Sequence, residues 1–251
     1  MKTNLIKFAA YSDIHHHNWD SGISEDDVVA VESEFRQLIV DRQVDFYVFG
    51  GDRFESRNPI DEIKYKADEG AKKHDDTGID GYWLVGNHCM WFKSSVRGHS
   101  LLNLSLHANS LPHIKILDKV SKTIFKVRDS SVSIYAMPAG FENSDLNSVF
   151  TDDESTYHIC LFHDLLPGCL LSNDIPSETG IDQSLVDREL FDLTLGGDNH
   201  RHQILNFKNC PGAYIGAPLA HKWVDAGLKR GFIYVEMWME DDKVCHSIEF
   251  I

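Results

Sequence analysis

The chain has 251 residues, 42% of them hydrophobic and 11% aromatic, with a formal net charge of −15. That composition supports a globular core, and no run approaches the roughly 18 apolar residues of a membrane span. The acidity disfavours partners gripped through a basic footprint, although two bound divalent cations would offset about four charges where a phosphate must sit.

Met1 to Ile6 runs straight into a strand pattern without signal-peptide features, and the five cysteines (Cys89, Cys160, Cys169, Cys210, Cys245) are scattered and never spaced as CxxC. Both point to a reducing, cytoplasmic setting. Leu5 to Tyr11 reads as a strand ending in Ser-Asp. Ser24-Glu25-Asp26-Asp27 opens a helix, with Ser24 as cap, acids at the positive end of the dipole, and Val28, Val31, Phe35, Leu38 and Ile39 on one apolar face. Val44 to Phe49 is a buried strand leading to Gly50-Gly51-Asp52. Pro59 to Lys73 is the next helix, and Tyr82 to Val85 a strand ending at Gly86-Asn87-His88.

Further strands are predicted at Ile114 to Leu117, Thr123 to Val127, Val132 to Met137, Tyr157 to Phe162 and Leu193 to Leu195. Gln203 to Phe207, Ala213 to Ile215, Phe232 to Trp238 and Val244 to Phe250 read as antiparallel strands without long helices. Alternation first and strands later predict an α/β fold of two packed mixed β-sheets flanked by helices. No repeat or linker divides the chain, so residues 1–251 are expected to form a single domain.

Strand after strand ends in Asp, Asn or His, and ligands of α/β sheets gather at the carboxyl ends of strands. The residues so placed are Asp13 and His15, Asp52, Asn87 and His88, His163, then Asp198 and His200. Carboxylate, amide and imidazole together suit manganese, iron or zinc better than calcium. A dinuclear site would hold its ions roughly 3.5–4 Å apart, with a carboxylate as the natural bridge.

Asp13-Ile14-His15, Gly51-Asp52, Gly86-Asn87-His88 and the isolated His163 resemble the ordered motifs of the calcineurin-like metallophosphoesterases. The flanks narrow the resemblance. Gly51-Asp52-Arg53-Phe54-Glu55-Ser56-Arg57, Gly197-Asp198-Asn199-His200-Arg201-His202-Gln203, Pro211 to Pro218 and Lys229-Arg230-Gly231-Phe232 resemble the SbcD-type DNA nucleases, phage-type members especially. The resemblance implies a metal-dependent exo/endonuclease of DNA repair or recombination. In it, Asp13, His15 and His200 would hold one ion, Asn87, His163 and Asp198 the other, and Asp52 would bridge them. Asp198 stands where the family usually has histidine, a harder ligand that leans towards manganese or magnesium over zinc. A rival register would use His200 and His202, at the cost of the Gly197 and Gln203 matches.

His88 is the candidate for contacting the phosphate or protonating the leaving oxygen, with Glu55 either its orienter or a surface carboxylate. His16 either touches phosphate or faces solvent, as does His17. Lys93 and Arg97, beside Trp91 and Phe92, either grip a nucleic-acid backbone or belong to a loop packed by its aromatics. Cys89 reads as a small buried hydrophobe. His74, His99, His107, His113, His158, His221 and His246 read as surface or half-buried. Family members commonly continue into a capping domain and an ATPase-binding segment, for which little room remains before Ile251. DNA, an SbcC-type coiled-coil ATPase and a second copy of the chain are the expected partners. A small-substrate phosphodiesterase or phosphatase and a non-catalytic scaffold are the alternatives.

Overall fold

The period of two along the apolar strands sorts their side chains between two cores. On β1 (Thr3–Tyr11) Ile6, Phe8 and Ala10 face one core, while Ala9 and Tyr11 face another. On β2 (Phe46–Phe49) Phe46 and Val48 divide from Tyr47 and Phe49 in the same way, as Tyr82 and Leu84 do from Trp83 on β3 (Asp80–Leu84). Residues 2–18, 23–92, 95–101, 110–141, 146 and 148–251 are described by this computed structural model, the backbone alone at 91, 92 and 95–98.

Two helices cover the outer face of this first sheet. Helix α1 (Glu25–Asp41) starts at a capping box: Asp27 N–H donates to Ser24 Oγ and Ser24 N–H donates back to Asp27 Oδ2. Such a cap is worth about 1 kcal/mol. Val28, Phe35 and Ile39 are buried, with Val31 and Leu38 packed partly against them. Helix α2 (Asp61–Asp75) begins two residues after Pro59, because Ile60 is still extended. Asp61 and Glu62 in its first turn and Lys72 and Lys73 in its last suit the dipole.

The remaining strands are β4 (Met90–Phe92), β5 (Ser95–His99), β6 (Ile114–Leu117), β7 (Ser121–Val127), β8 (Ser130–Met137), β9 (Tyr157–His163), β10 (Leu193–Gly197), β11 (Gln203–Leu205), β12 (Gly212–Tyr214), β13 (Ile233–Glu240) and β14 (Lys243–Phe250). The first sheet runs β14-β13-β1-β2-β3-β6 and the second β11-β12-β10-β9-β8-β7, as the expected pair of mixed sheets. Val132, Ile134, Ile159, Leu161, Leu193 and Leu195 of the second sheet meet the inner face of the first in one shared core.

The second sheet differs from expectation on its outer face. Among the described residues, Tyr135, Met137, Cys160 and Phe162 are covered by the helical Leu146 and by Phe150, Leu166, Val186 and Phe191 from irregular chain and the edge of one short 3-10 turn (Gln183–Leu185), not by a long helix. The β4–β5 hairpin was not legible either. No helix of the described residues is long and apolar enough to cross a membrane.

Each sheet contains a run of four parallel strands, β1-β2-β3-β6 in the first and β8-β9-β10-β12 in the second. Their carboxyl ends deliver the chemistry-bearing loops.

Candidate metal centre

The loops after β1 and β2 are zipped together by their backbones. Asp13 N–H donates to Gly51 O at 2.9 Å, His15 N–H to Asp52 O at 3.1 Å and His16 N–H to Arg53 O at 2.8 Å. The second sheet joins through His163, whose Nδ1 donates to Gly50 O at 2.7 Å. Close approach explains two glycines. A Cβ on Gly51, which sits at φ +115°, would meet His163 Nδ1 at 2.3 Å, and one on Gly86 would meet Asp52 Oδ1 at 2.2 Å. Asp13, His15, Asp52 and Asp198 all adopt positive φ, a sparsely populated region for side-chain-bearing residues, held here by the surrounding hydrogen bonds.

The seven expected donors come together. His15 Nε2 lies 3.2 Å from His200 Nε2 and 3.9 Å from Asp13 Oδ1. His163 Nε2 lies 3.4 Å from Asp52 Oδ2 and 3.8 Å from Asp198 Oδ1, and Asn87 Nδ2 lies 3.4 Å from Asp198 Oδ1. Donor atoms of Asp13, His15 and His200 sit within 4.8 Å of one another, as do those of Asp13, Asp52 and His163. His15, Asp52 and His88 form a third such group, so His88 stands at the rim of the same centre.

The donor set fits divalent ions. Asn87 Oδ1 and His163 Nε2 are buried without hydrogen-bond partners, which is costly unless something accepts their lone pairs. Two candidate imidazoles are hydrogen-bonded to protein oxygen through Nδ1, His163 to the Gly50 carbonyl and His200 to Asp225 Oδ2 at 3.1 Å, while His15 Nδ1 has only the ion-pair contact with Glu55 Oε2 at 2.7 Å. An Nδ1–H held this way presents Nε2 to the site, the arrangement that orients metal-bound histidines.

Burial and mutual charge shift the titration of this cluster. Burial raises Asp13 to about 6, the neighbouring His163 and His200 pulling the other way. Burial likewise raises Asp198, helped by the Asp52 charge. Burial opposes charge on His163, yet the carboxylates of Asp52, Asp13 and Asp198 outweigh it and lift its pKa to about 10. His15 is driven well below its usual value by burial and by His200 and His221. A histidine with a raised pKa must lose a proton before its nitrogen can ligate. Divalent-metal binding should therefore release protons, and affinity should rise with pH from about 6, where Asp13 titrates, towards about 10, where His163 does. Calorimetry in buffers of different ionisation enthalpy checks this; a heat independent of buffer would show that His163 was already neutral.

Three expectations need correction. The Glu55 carboxylate does not lie chiefly on His88: Oε2 is 2.7 Å from His15 Nδ1 and 3.6 Å from His88 Nδ1, while the Glu55 backbone carbonyl holds His88 Nδ1 at 2.7 Å. His16 neither faces solvent nor reaches a phosphate. It is fully buried, 2.6 Å from Glu25 Oε1 and 3.4 Å from Glu32 Oε2. His74, His99 and His158 are buried, not surface residues. Lys93 and the side chain of Arg97, like those of Trp91 and Phe92, lie outside the described residues, as does His107.

The rival register has less geometry behind it, since His200 and not His202 groups with Asp13 and His15. His202 Nδ1 donates to Tyr214 O at 2.9 Å and its ring stacks on Phe250 at 4.0 Å. Cys89 is buried as expected, its thiol pushed up to about 12 by burial and by Asp52. Two contributors escaped sequence reasoning. Asp225, which braces His200, lies in no motif, and His221 packs 4.8 Å from the His15 ring with Nε2 donating to Asp13 O at 3.0 Å. Arg57 Nε also donates to the Asn87 carbonyl at 3.2 Å.

The fold is shared with distant solved structures. A dimetal phosphatase from Danio rerio matches with TM-score 0.61 and 11% identity over 98% of this chain and 96% of that one. The purple acid phosphatase PPD1 of yellow lupin (Lupinus luteus) seeds matches with TM-score 0.59 and 13% identity over 99% of this chain and 52% of that one. GAP50, the anchor in the inner membrane complex of Plasmodium, matches with TM-score 0.58 and 12% identity over 98% and 84%. No curated protein matches the sequence. The model of the calcineurin-like phosphoesterase family matches residues 6–201, covering the strands and loops that carry all seven donors, and the chain belongs to that family.

Proposed function

We propose that this phosphoesterase is a manganese-dependent DNA exo/endonuclease of the SbcD type, serving repair or recombination. The observation that carries the hydrolytic part is the seven-donor centre with its orphaned Asn87 Oδ1 and His163 Nε2. The DNA part is supported by the flanking stretches Gly51 to Arg57 and Gly197 to Gln203. Asp13, His15 and His200 would hold one ion and Asn87, His163 and Asp198 the other, with Asp52 between them. Bound ions polarise the phosphoryl oxygens and make water nucleophilic at neutral pH. The carboxylate of Asp198 favours manganese or magnesium over zinc.

The chain's own residues supply orientation and the proton. Glu55 lies between two histidines: its carboxylate is beside His15 Nδ1 and its carbonyl holds His88 Nδ1. With Nδ1 engaged there, His88 keeps Nε2 for the substrate, and its side chain is 33% exposed at the rim. It can contact the phosphate or protonate the leaving oxygen. Lys93 and Arg97 remain proposed contacts to the DNA backbone. An SbcC-type ATPase, a second copy of the chain and a cytoplasmic location belong to the same proposal.

The test is manganese-dependent degradation of end-labelled linear DNA beside bis-p-nitrophenyl phosphate. His88→Ala should lower kcat on DNA by about 10²–10⁴-fold, the usual worth of a positioned acid, and keep bound metal. Cleavage of the small diester alone would move the assignment to a small-substrate phosphodiesterase. Hydrolysis of neither would leave the scaffold reading.

A further inference from the structure

The 3-10 turn Trp223–Asp225 stands beside the metal centre and carries a side chain the fold does not use. Trp223 is 96% exposed and the adjoining Val224 52% exposed. An indole offers a large flat surface that gains free energy when covered. The turn that carries it is held in place. Asp225 is buried and accepts from His200 Nδ1 at 3.1 Å, while Arg230 Nη2 donates to the Asp225 carbonyl at 2.5 Å. Arg230 Nη1 donates to the carbonyls of His200 and Ala217, each at 3.1 Å. Trp223 is therefore tied through a single residue pair to a candidate metal ligand.

A cavity of about 230 Å³ adjoins the turn. Lys222 and Val224, the neighbours of Trp223 on either side, both line it, together with Leu165, Leu171, Asp198 and His200. It therefore combines apolar walls, one cation and two candidate ligands. Lys222 is the cation of this lining, set among the carboxylates of Asp198 and Asp225.

We propose that this turn is a nucleotide-binding subsite, in which Trp223 stacks on the base beside the scissile phosphate and Lys222, at the wall of the adjoining cavity, faces the neighbouring phosphate. The proposal rests on the phosphodiesterase reading above and narrows it to a single-stranded or frayed nucleic-acid end, since a base in duplex has both faces covered. Stacking on an aromatic ring tolerates any sequence, because every base has a π-face.

The experiment compares wild type, Trp223→Ala and Trp223→Phe on thymidine 5′-(p-nitrophenyl phosphate), which carries a base, and on bis-p-nitrophenyl phosphate, which does not. Binding of fluorescein-labelled oligothymidylate is followed by anisotropy. The exposed position leaves folding intact on truncation. Trp223→Ala should raise the ratio of KM for the base-bearing ester over the base-free one about ten-fold, and weaken oligothymidylate binding about as much. Trp223→Phe, which keeps a ring, should recover most of both. Wild-type ratios and affinity in Trp223→Ala would overturn the subsite, as would a Phe variant no better than the Ala variant. If wild type prefers the thymidine ester but neither binds nor cleaves DNA, the nuclease reading falls and the subsite stands. If wild type degrades DNA while Trp223→Ala is indistinguishable from it, the subsite falls and the nuclease reading stands.

Discussion

Asp52→Ala should abolish measurable phosphodiester hydrolysis, lowering kcat on the order of a thousand-fold, or about 4 kcal/mol of transition-state stabilisation at about 1.4 kcal/mol per decade. Asp52 sits where both halves of the donor cluster meet: Oδ2 is 3.4 Å from His163 Nε2, and Oδ1 accepts the His88 backbone N–H at 2.9 Å. Burial works against its charge, but His163 and the His88 backbone hold its pKa below the ordinary carboxylate value, so it is ionised at neutral pH. Removing it takes away the natural bridge and leaves His163 Nε2 with one fewer counter-charge. Metal analysis by mass spectrometry should show fewer ions bound than in wild type. Full metal content with full activity would mean that Asp52 does not bridge.

Glu32→Ala should be the most destabilising single substitution in the helical layer. The Glu32 carboxylate is 1% exposed, accepts from Arg53 Nη1 at 2.7 Å, and lies 3.4 Å from His16 Nε2 and 3.7 Å from His74 Nε2. Arg53 is itself fully buried, donates to Ala67 O at 2.5 Å and lies 4.6 Å over the Trp83 ring. Deleting one partner strands the other charge, at a cost of about 3–5 kcal/mol. For a chain of this size that lowers Tm by roughly 6–20 °C. Removing both charges, as in Glu32→Leu with Arg53→Met, should recover much of the loss.

The same carboxylate gives the pH dependence its sign. Burial alone would raise the Glu32 pKa, but Arg53 and His16 hold it well below the usual value. A depressed carboxylate stabilises the fold above its unfolded pKa of about 4.3, and the contribution is lost as pH falls through the folded value. Acid unfolding of wild type should therefore be steeper than that of the double variant. Equal acid midpoints would show that the network carries no net stability.

What was legible from sequence follows from what the chemistry demands. A metal ligand must be a particular side chain at a strand end, so Asp13, His15, Asp52, Asn87, His163, Asp198 and His200 announce themselves. Their supports do not, because Asp225 and Glu55 need only a carboxylate within reach, and reach is set by the fold. One missed signal was present. Val28, Glu32, Phe35 and Ile39 follow helical spacing, which puts Glu32 on the apolar face of α1, where an acid needs a buried partner. His16 and His74 could have been paired with it on that ground. The cover of the second sheet was hidden for another reason: the irregular chain from Leu166 to Phe191 has no period to read.

The donors are also divided between two sheets. Asp13, His15, Asp52 and Asn87 follow strands of the first, while His163, Asp198 and His200 follow strands of the second. His15 and His200, whose Nε2 atoms nearly touch, are 185 residues apart in the chain. Closing contacts so distant in sequence is slow, and no species with only one sheet formed can assemble the centre. During refolding, tight uptake of divalent metal should therefore trail the docking of the sheets, which makes the ion a reporter of the last event in folding.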